Sequence, residues 1–200
     1  DQGLAFDVAV HMGSSLAVIS YFRTELWQII CDFIGSLGKP DKRTDHSHMG
    51  WMIILATLPI IVFGLLLKSF VEQNMRTPLM IAIPTIIFGL LLYWYDLKGR
   101  KQRHESSLVW KDALVVGLFQ ALAIFPGTSR SGITITAGLM LGLSRQAASR
   151  FSFLLAIPTI LMSGVLVTHD LVASAAPIAW GELMAGAALS LVAAYICIHL

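Results

Sequence analysis

Apolar positions along this chain gather into five long blocks, near residues 6–22, 50–68, 78–95, 151–167 and 180–199. Each is close to the roughly 17–25 residues that a helix needs to cross the hydrocarbon core of a bilayer. Between the third and fourth blocks the pattern breaks, and residues 109–143 are too interrupted to form one span. They read as a helix over 109–125, a turn over 126–131 and a second helix over 132–142. Two helices around a Pro-Gly turn, with polar groups at the turn, predict a re-entrant hairpin. Irregular backbone at that depth is tolerated only where protein shields it or a wet cavity adjoins it. The expected architecture is an all-α, polytopic membrane helical bundle with a re-entrant helix-turn-helix, and residues 1–200 are read as one membrane domain.

Composition strengthens that reading. Hydrophobic residues make up 56% of the chain and charged residues only 13%, about half the charge that covers an ordinary soluble domain. A net charge of +2 is too small to suggest a nucleic-acid partner. Cys31 and Cys197 lie far apart without metal-ligand spacing and read as unpaired thiols. The chain starts at Asp1 without a methionine and ends at Leu200 inside an apolar run, so it is expected to be a piece of a longer protein.

The placement of the charges predicts orientation. The connection 23–49 carries Arg23, Lys39, Lys42 and Arg43, and the connection 96–111 carries Lys98, Arg100, Lys101, Arg103 and Lys111. Two spans separate them, so they share a side, and the positive-inside rule makes that side cytoplasmic. Residues 168–179 carry no Lys or Arg, and 69–77 only Arg76, with Lys68 at a helix end. Tyr93, Trp94, Tyr95 and Trp110 fit the inner interface and Trp180 the outer one. The hairpin then starts and ends on the cytoplasmic side, with its tip pointing outward. A first arm of about 16 residues carries the tip roughly 24 Å, most of the way across.

The tip holds the chemistry. Pro126 and Gly127 break the first arm, and Thr128, Ser129, Arg130, Ser131 and Gly132 follow. An arginine at membrane depth costs about 2.5–3.5 kcal/mol on insertion scales, which makes it a functional candidate by default. Thr128, Ser129 or Ser131 can cap the second arm, whose first N–H groups have no helical partner. Those N–H groups, the positive helix end and Arg130 converge as an anion site. Thr134, four residues after Arg130, is expected on the same side one turn deeper. Gly138 and Gly142 form a Gly-x-x-x-Gly pair suited to close helix packing. The competing structural reading, in which the hydroxyls only cap and Arg130 only satisfies loose carbonyls, is disfavoured by the cost of that arginine. Gln120, an amide two turns before the tip, can bond into the site or to a neighbouring helix.

Other candidates are weaker. Asp7 and His11, at i and i+4 on the first span, suit a metal or proton role or a plain interfacial position. Asp45, His46 and His48 resemble a metal cluster on paper but read as a solvated cytoplasmic loop. Arg145 and Arg150 are expected at the hairpin's cytoplasmic return. The segment Pro59–Leu67 echoes Pro84–Leu92, which we read as shared apolar composition.

From Gly117 to Thr134, through the Pro126-Gly127-Thr128-Ser129-Arg130-Ser131-Gly132 turn, the chain closely resembles undecaprenyl-diphosphate phosphatases of the bacitracin-resistance type. Ser144 to Pro158 and the opening Phe6-Asp7-Val8, with Gly13 and Ala17, are similar to that family too. The likeness runs over essentially all 200 residues. It implies a bacterial plasma-membrane hydrolase that converts undecaprenyl diphosphate to the monophosphate and inorganic phosphate, recycling the carrier for cell-wall synthesis and conferring bacitracin resistance. It also implies inverted-topology repeats, of which this chain holds half, and a divalent metal, Mg2+ or Ca2+.

In that family the motif supplies Ser129, Arg130, Ser131 and Thr134 to diphosphate binding and catalysis. Pro126, Gly127, Thr128, Gly132 and Gln120 are candidate substrate-binding positions around them. One departure is large: the family's Glu-x-x-x-Glu motif and Ser-Ser-Thr-Gly-His turn do not occur here. The chain is therefore expected to lack an N-terminal acidic half-site, which would hold the metal, and the last spanning helix. Expected partners are the polyprenyl diphosphate and membrane lipids, with a homodimer left open. The rival class is a transporter or channel with an anion site at a re-entrant hairpin. A type-2 phosphatidic acid phosphatase is disfavoured, because no Pro-Ser-Gly-His turn is present.

Overall fold

The computed structural model describes residues 2–38, 44–75, 77–99, 102–173 and 179–199, and among them finds eight α-helices and no strand beyond one isolated bridge. They are α1 (Gln2–Tyr21), α2 (Arg23–Ser36), α3 (Asp45–Asn74), α4 (Pro78–Lys98), α5 (Trp110–Ala121), α6 (Arg130–Met140), α7 (Arg145–Ala173) and α8 (Trp180–His199). Four segments are long and apolar enough to cross a membrane: Asp45–Leu67, Pro78–Lys98, Arg145–Leu166 and Trp180–His199. A fifth candidate, Ala5–Tyr21 with Arg23–Ser36, is bent by 80° and is either a broken span or a re-entrant loop.

The structure corrects the reading of 23–49 as a connection. Residues 23–36 are helical, and α3 begins at Asp45. Charged residues such as Arg23, Glu25 and Asp32 interrupt the hydropathy of this stretch, but they do not interrupt its helical hydrogen bonding. Asp45, His46 and His48 accordingly sit in the first turn of α3 and not in a loop, with Thr44 and Ser47 forming a reciprocal capping box. Lys39, Lys42, Arg43, Arg76, Arg100 and Lys101, on which the orientation argument partly rests, lie outside the described residues.

The chain divides into two compact units, Asp1–Gln28 with Ala156–Leu200, and Ile29–Leu155. In the first, α1 packs against α8 through small residues. A methyl group added to Gly13 would sit 2.1 Å from the Ala187 carbonyl oxygen, and the Ser190 hydroxyl donates to the Val10 carbonyl at 2.7 Å. Close backbone approach with an interhelical hydroxyl bond is how helices associate where lipid removes the hydrophobic drive. Asp7 and His11 are both exposed on α1, and the His11 ring bonds the Asp7 carbonyl at 2.7 Å.

The second unit carries the hairpin. Its arms are α5, extended by a short 3-10 turn at Leu122–Ile124, and α6. Gly117 on α5 approaches the Ala56 carbonyl of α3, and Gln120, 1% exposed, donates its amide N–H to the same carbonyl at 3.2 Å. Of the two roles open to Gln120, the structure therefore shows the bond to a neighbouring helix. Gly138 packs against Ala148 of α7, as a small residue should. Its partner Gly142 instead has φ +87 and ends α6 as a turn, with Leu143 N–H bonding the Gly138 carbonyl at 3.0 Å.

The two ends of the hairpin meet at its base. Gly142 accepts N–H bonds from Gln102 and Arg103, and the Arg103 carbonyl accepts the Ser144 N–H at 2.9 Å. The Arg103 guanidinium bonds the Leu141 carbonyl at 3.0 Å and pairs with Asp112 of α5 at 2.6 Å. Arg145 grips Asp96 of α4 with two bonds of 2.5 and 2.6 Å, and Arg150 pairs with the buried Glu105. Three arginine–acid pairs thus close the end of the hairpin opposite the tip, and the segment returns to the level at which it began.

Candidate anion site at the hairpin tip

The turn between α5 and α6 is built against α4. Gly127 has φ +86, a region that favours glycine, and an added methyl group would meet the Ile81 carbonyl oxygen at 2.1 Å. The Thr85 hydroxyl of α4 bonds the Gly127 carbonyl at 2.9 Å and the Ile81 carbonyl at 2.8 Å, while the Thr128 N–H bonds Phe125 at 3.1 Å. The peptide between Gly127 and Thr128 is therefore held at both ends. Ile81 to Thr85 lie about 5–10 Å along α4 from its Pro78 end at 1.5 Å per residue. The tip consequently runs most of the length of the α4 span.

Of the three candidate caps, Ser129 takes the position: its hydroxyl accepts the Gly132 N–H at 3.2 Å, and its carbonyl accepts Ile133 N–H at 2.9 Å. The N–H groups of Ser129, Arg130 and Ser131 find no acceptor among the described residues. The Arg130 side chain is half-buried and has no hydrogen bond or ion pair among them either. Ser129 and Ser131 are exposed, their hydroxyls 3.5 Å apart. The Thr128 hydroxyl is buried with no partner among the described residues. Three N–H groups and a guanidinium without partners among the described residues, a positive helix end and two exposed hydroxyls are the kind of donors that suit a tetrahedral oxyanion.

Thr134 follows Arg130 by one turn of α6, and its hydroxyl is enclosed. It is 3% exposed, and its hydroxyl bonds the Arg130 and Ser131 carbonyls at 3.0 and 3.1 Å and the Ser152 hydroxyl of α7 at 2.7 Å. It braces the first turn of α6 from behind and does not point into the cradle. Thr85 and Ser152 are contacts that the sequence pattern did not single out. Their signal was a hydroxyl inside an apolar span, next to Pro84 for Thr85 and in Phe151-Ser152-Phe153 for Ser152.

The cradle suits an anion and not a cation. Guanidinium, amide N–H and neutral hydroxyls do not fit a divalent metal, which seeks carboxylate oxygens. No group of three or more His, Cys, Asp and Glu that could hold a metal occurs among the described residues, the Asp45, His46 and His48 set included.

The fold defines a multi-pass helical membrane protein, with a candidate anion site at the tip of a helix-turn-helix. All 200 residues match the family model described as Bacitracin resistance protein BacA, and the chain belongs to that family. Its relatives include the undecaprenyl-diphosphatase of Nitrosococcus oceani, 51% identical over 199 residues that cover 100% of this chain and 75% of that protein. Undecaprenyl-diphosphatase 2 of Stutzerimonas stutzeri is 52% identical over 202 residues, covering 100% and 74%. Undecaprenyl-diphosphatase 1 of Pseudoalteromonas translucida is 51% identical over 200 residues, covering 100% and 75%.

Proposed function

We propose that this protein hydrolyses undecaprenyl diphosphate to undecaprenyl phosphate and inorganic phosphate, with the terminal phosphate seated in the hairpin-tip cradle. The carrying observation is Arg130, a guanidinium that, like three N–H groups at the start of α6, has no partner among the described residues. In hydrolysis an oxygen nucleophile joins the terminal phosphorus as its bond to the bridging oxygen breaks. That bridging oxygen leaves on the lipid phosphate. Negative charge spreads over the equatorial oxygens in between, and preorganised donors aimed at those oxygens supply most of the catalysis such a transfer needs. Arg130 and the N–H groups of Ser129, Arg130 and Ser131 are the donors here. The exposed hydroxyls of Ser129 and Ser131 orient the phosphate, and Thr134 stiffens the turn beneath them. Gly127 lets the turn seat closely against α4, Gly132 gives its N–H to the Ser129 cap, Pro126 fixes the turn, and Thr128 offers a hydroxyl with no partner among the described residues. No residue of the turn is a general base, and no step here runs through a metal, whose ligands the turn does not provide.

The charge distribution supports a plasma-membrane protein with its cradle open to the extracytoplasmic side. There the product phosphate leaves, and the lipid phosphate returns to carry cell-wall precursors. Removal of the diphosphate form also accounts for bacitracin resistance. The isoprenoid chain lies in lipid beside the apolar helices.

A transporter with the same cradle would bind its anion without breaking it. The two readings separate in vesicles holding the intact protein and undecaprenyl diphosphate. Release of inorganic phosphate supports hydrolysis, whereas uptake of labelled phosphate or pyrophosphate without release from the lipid supports transport.

A further inference from the structure

We infer that Ser152 of α7 is a positioning residue for the hydrolysis, acting through Thr134 on the backbone that forms the cradle. The inference rests on the reading of the tip as the phosphate site. Either hydroxyl can donate in the Thr134–Ser152 contact, and we take the direction that leaves the Thr134 proton for the backbone carbonyls. Thr134 has one hydroxyl proton, and the Arg130 and Ser131 carbonyls, at 3.0 and 3.1 Å, can only accept it. The 2.7 Å contact between the two hydroxyls is then Ser152 donating to Thr134. Ser152 is 3% exposed, so its proton has no solvent to turn to. The chain runs Ser152 to Thr134 to the two carbonyls.

Those carbonyls are the far ends of cradle peptides. The Arg130 carbonyl shares a plane with the unpaired Ser131 N–H, and the Ser131 carbonyl shares one with the Gly132 N–H that Ser129 caps. Holding the carbonyls from behind therefore aims the donors in front. Thr134 alone could swing between its carbonyls and another acceptor, and a donor fixed on α7 removes that freedom. Phe151 and Leu154, each 1% exposed beside Ser152, anchor this part of α7 in the packed interior of its unit. A displaced donor array loses most in the transition state, where the phosphate charge is spread widest, and little in ground-state binding. The effect therefore belongs to kcat.

The test is steady-state phosphate release from undecaprenyl diphosphate by the intact protein, with thermal melting recorded for every variant. Ser152→Ala is expected to lower kcat about tenfold or more while KM stays within about twofold. Thr134→Val is expected to do the same, and the double variant to be no slower than Thr134→Val, because the two act in series. Should Ser152→Ala fail to fold, Ser152→Cys, close in shape but a weak donor, is expected to show a smaller fall in kcat. A folded Ser152→Ala with wild-type kcat, or single losses that multiply in the double variant, would overturn the inference. Arg130→Lys in the same assay keeps the two claims apart. If it retains full activity, the reading of the cradle itself fails, whatever Ser152 does.

Discussion

Replacing Gly127 with alanine should dislodge the tip, and the structure gives the size of the effect. The new methyl group would lie 2.1 Å from the Ile81 carbonyl oxygen and 2.8 Å from the Thr85 hydroxyl. A carbon seldom approaches an oxygen closer than about 3.3 Å, so turn and α4 must separate by roughly 1 Å. The φ of +86 adds strain, worth about 1–2 kcal/mol for a residue with a Cβ. Overpacking at such a contact adds about 1–3 kcal/mol. The intact Gly127→Ala protein should therefore melt at a lower temperature, by the equivalent of about 2–5 kcal/mol. A shift of that size also weakens the 2.9 Å bond from Thr85 to the Gly127 carbonyl and moves the cradle. A misplacement of about 1 Å can cost roughly 100-fold in rate. Phosphate release and melting, measured side by side, check both. Gly89→Ala is the control, since an added methyl group there meets nothing within 4 Å. Wild-type activity and melting in Gly127→Ala would refute the reasoning, because the close approach would then not be holding the turn.

Three further predictions address the other parts of the hairpin. Asp112→Asn removes the partner of Arg103 at the base and should destabilise by about 1–3 kcal/mol, less than for a fully buried pair because Arg103 is partly exposed. Phosphate release per folded molecule should change little, since α6 holds base and tip about 16 Å apart. Thr128→Val removes a buried hydroxyl that has no partner among the described residues; the folded protein should be as stable or more so. KM should nonetheless rise if that hydroxyl meets the substrate, so an unchanged KM would remove Thr128 from the site. Ser131 is exposed at the tip. With Cys31 and Cys197 replaced, Ser131→Cys in intact cells should react with an impermeant thiol reagent added outside, and labelling only after the cytoplasm is opened would reverse the proposed orientation.

The hairpin was legible in the sequence because its signals are local. Pro126 and Gly127 cannot continue a helix, and the hydroxyls after them can start one, so turn and second arm followed within a few residues. The helix α2 was hidden because its charges lower the hydropathy, while the 80° bend after Tyr21 has no proline or glycine to announce it. Helical spacing put Thr134 on the face of Arg130, but spacing cannot tell a face turned to the cradle from one turned to α7. Thr85 and Ser152 escaped notice for a related reason. They lie 42 residues from Gly127 and 18 from Thr134, and only the fold brings them together. The echo between Pro59–Leu67 and Pro84–Leu92 looked like shared composition. In the structure the hairpin meets each helix at the carbonyl three residues before its proline, Ala56 and Ile81.

Arg130 carries the central claim, and one measurement reaches it directly: the rate of phosphate release from undecaprenyl diphosphate by the intact, folded Arg130→Lys protein. Lysine keeps the charge but loses the planar fork that can meet two phosphate oxygens at once. Loss of one such transition-state donor costs about 100- to 1,000-fold, and a fall of that order in kcat is the predicted result. Release at the wild-type rate would contradict the account, because the guanidinium at the start of α6 would then have no part in the chemistry.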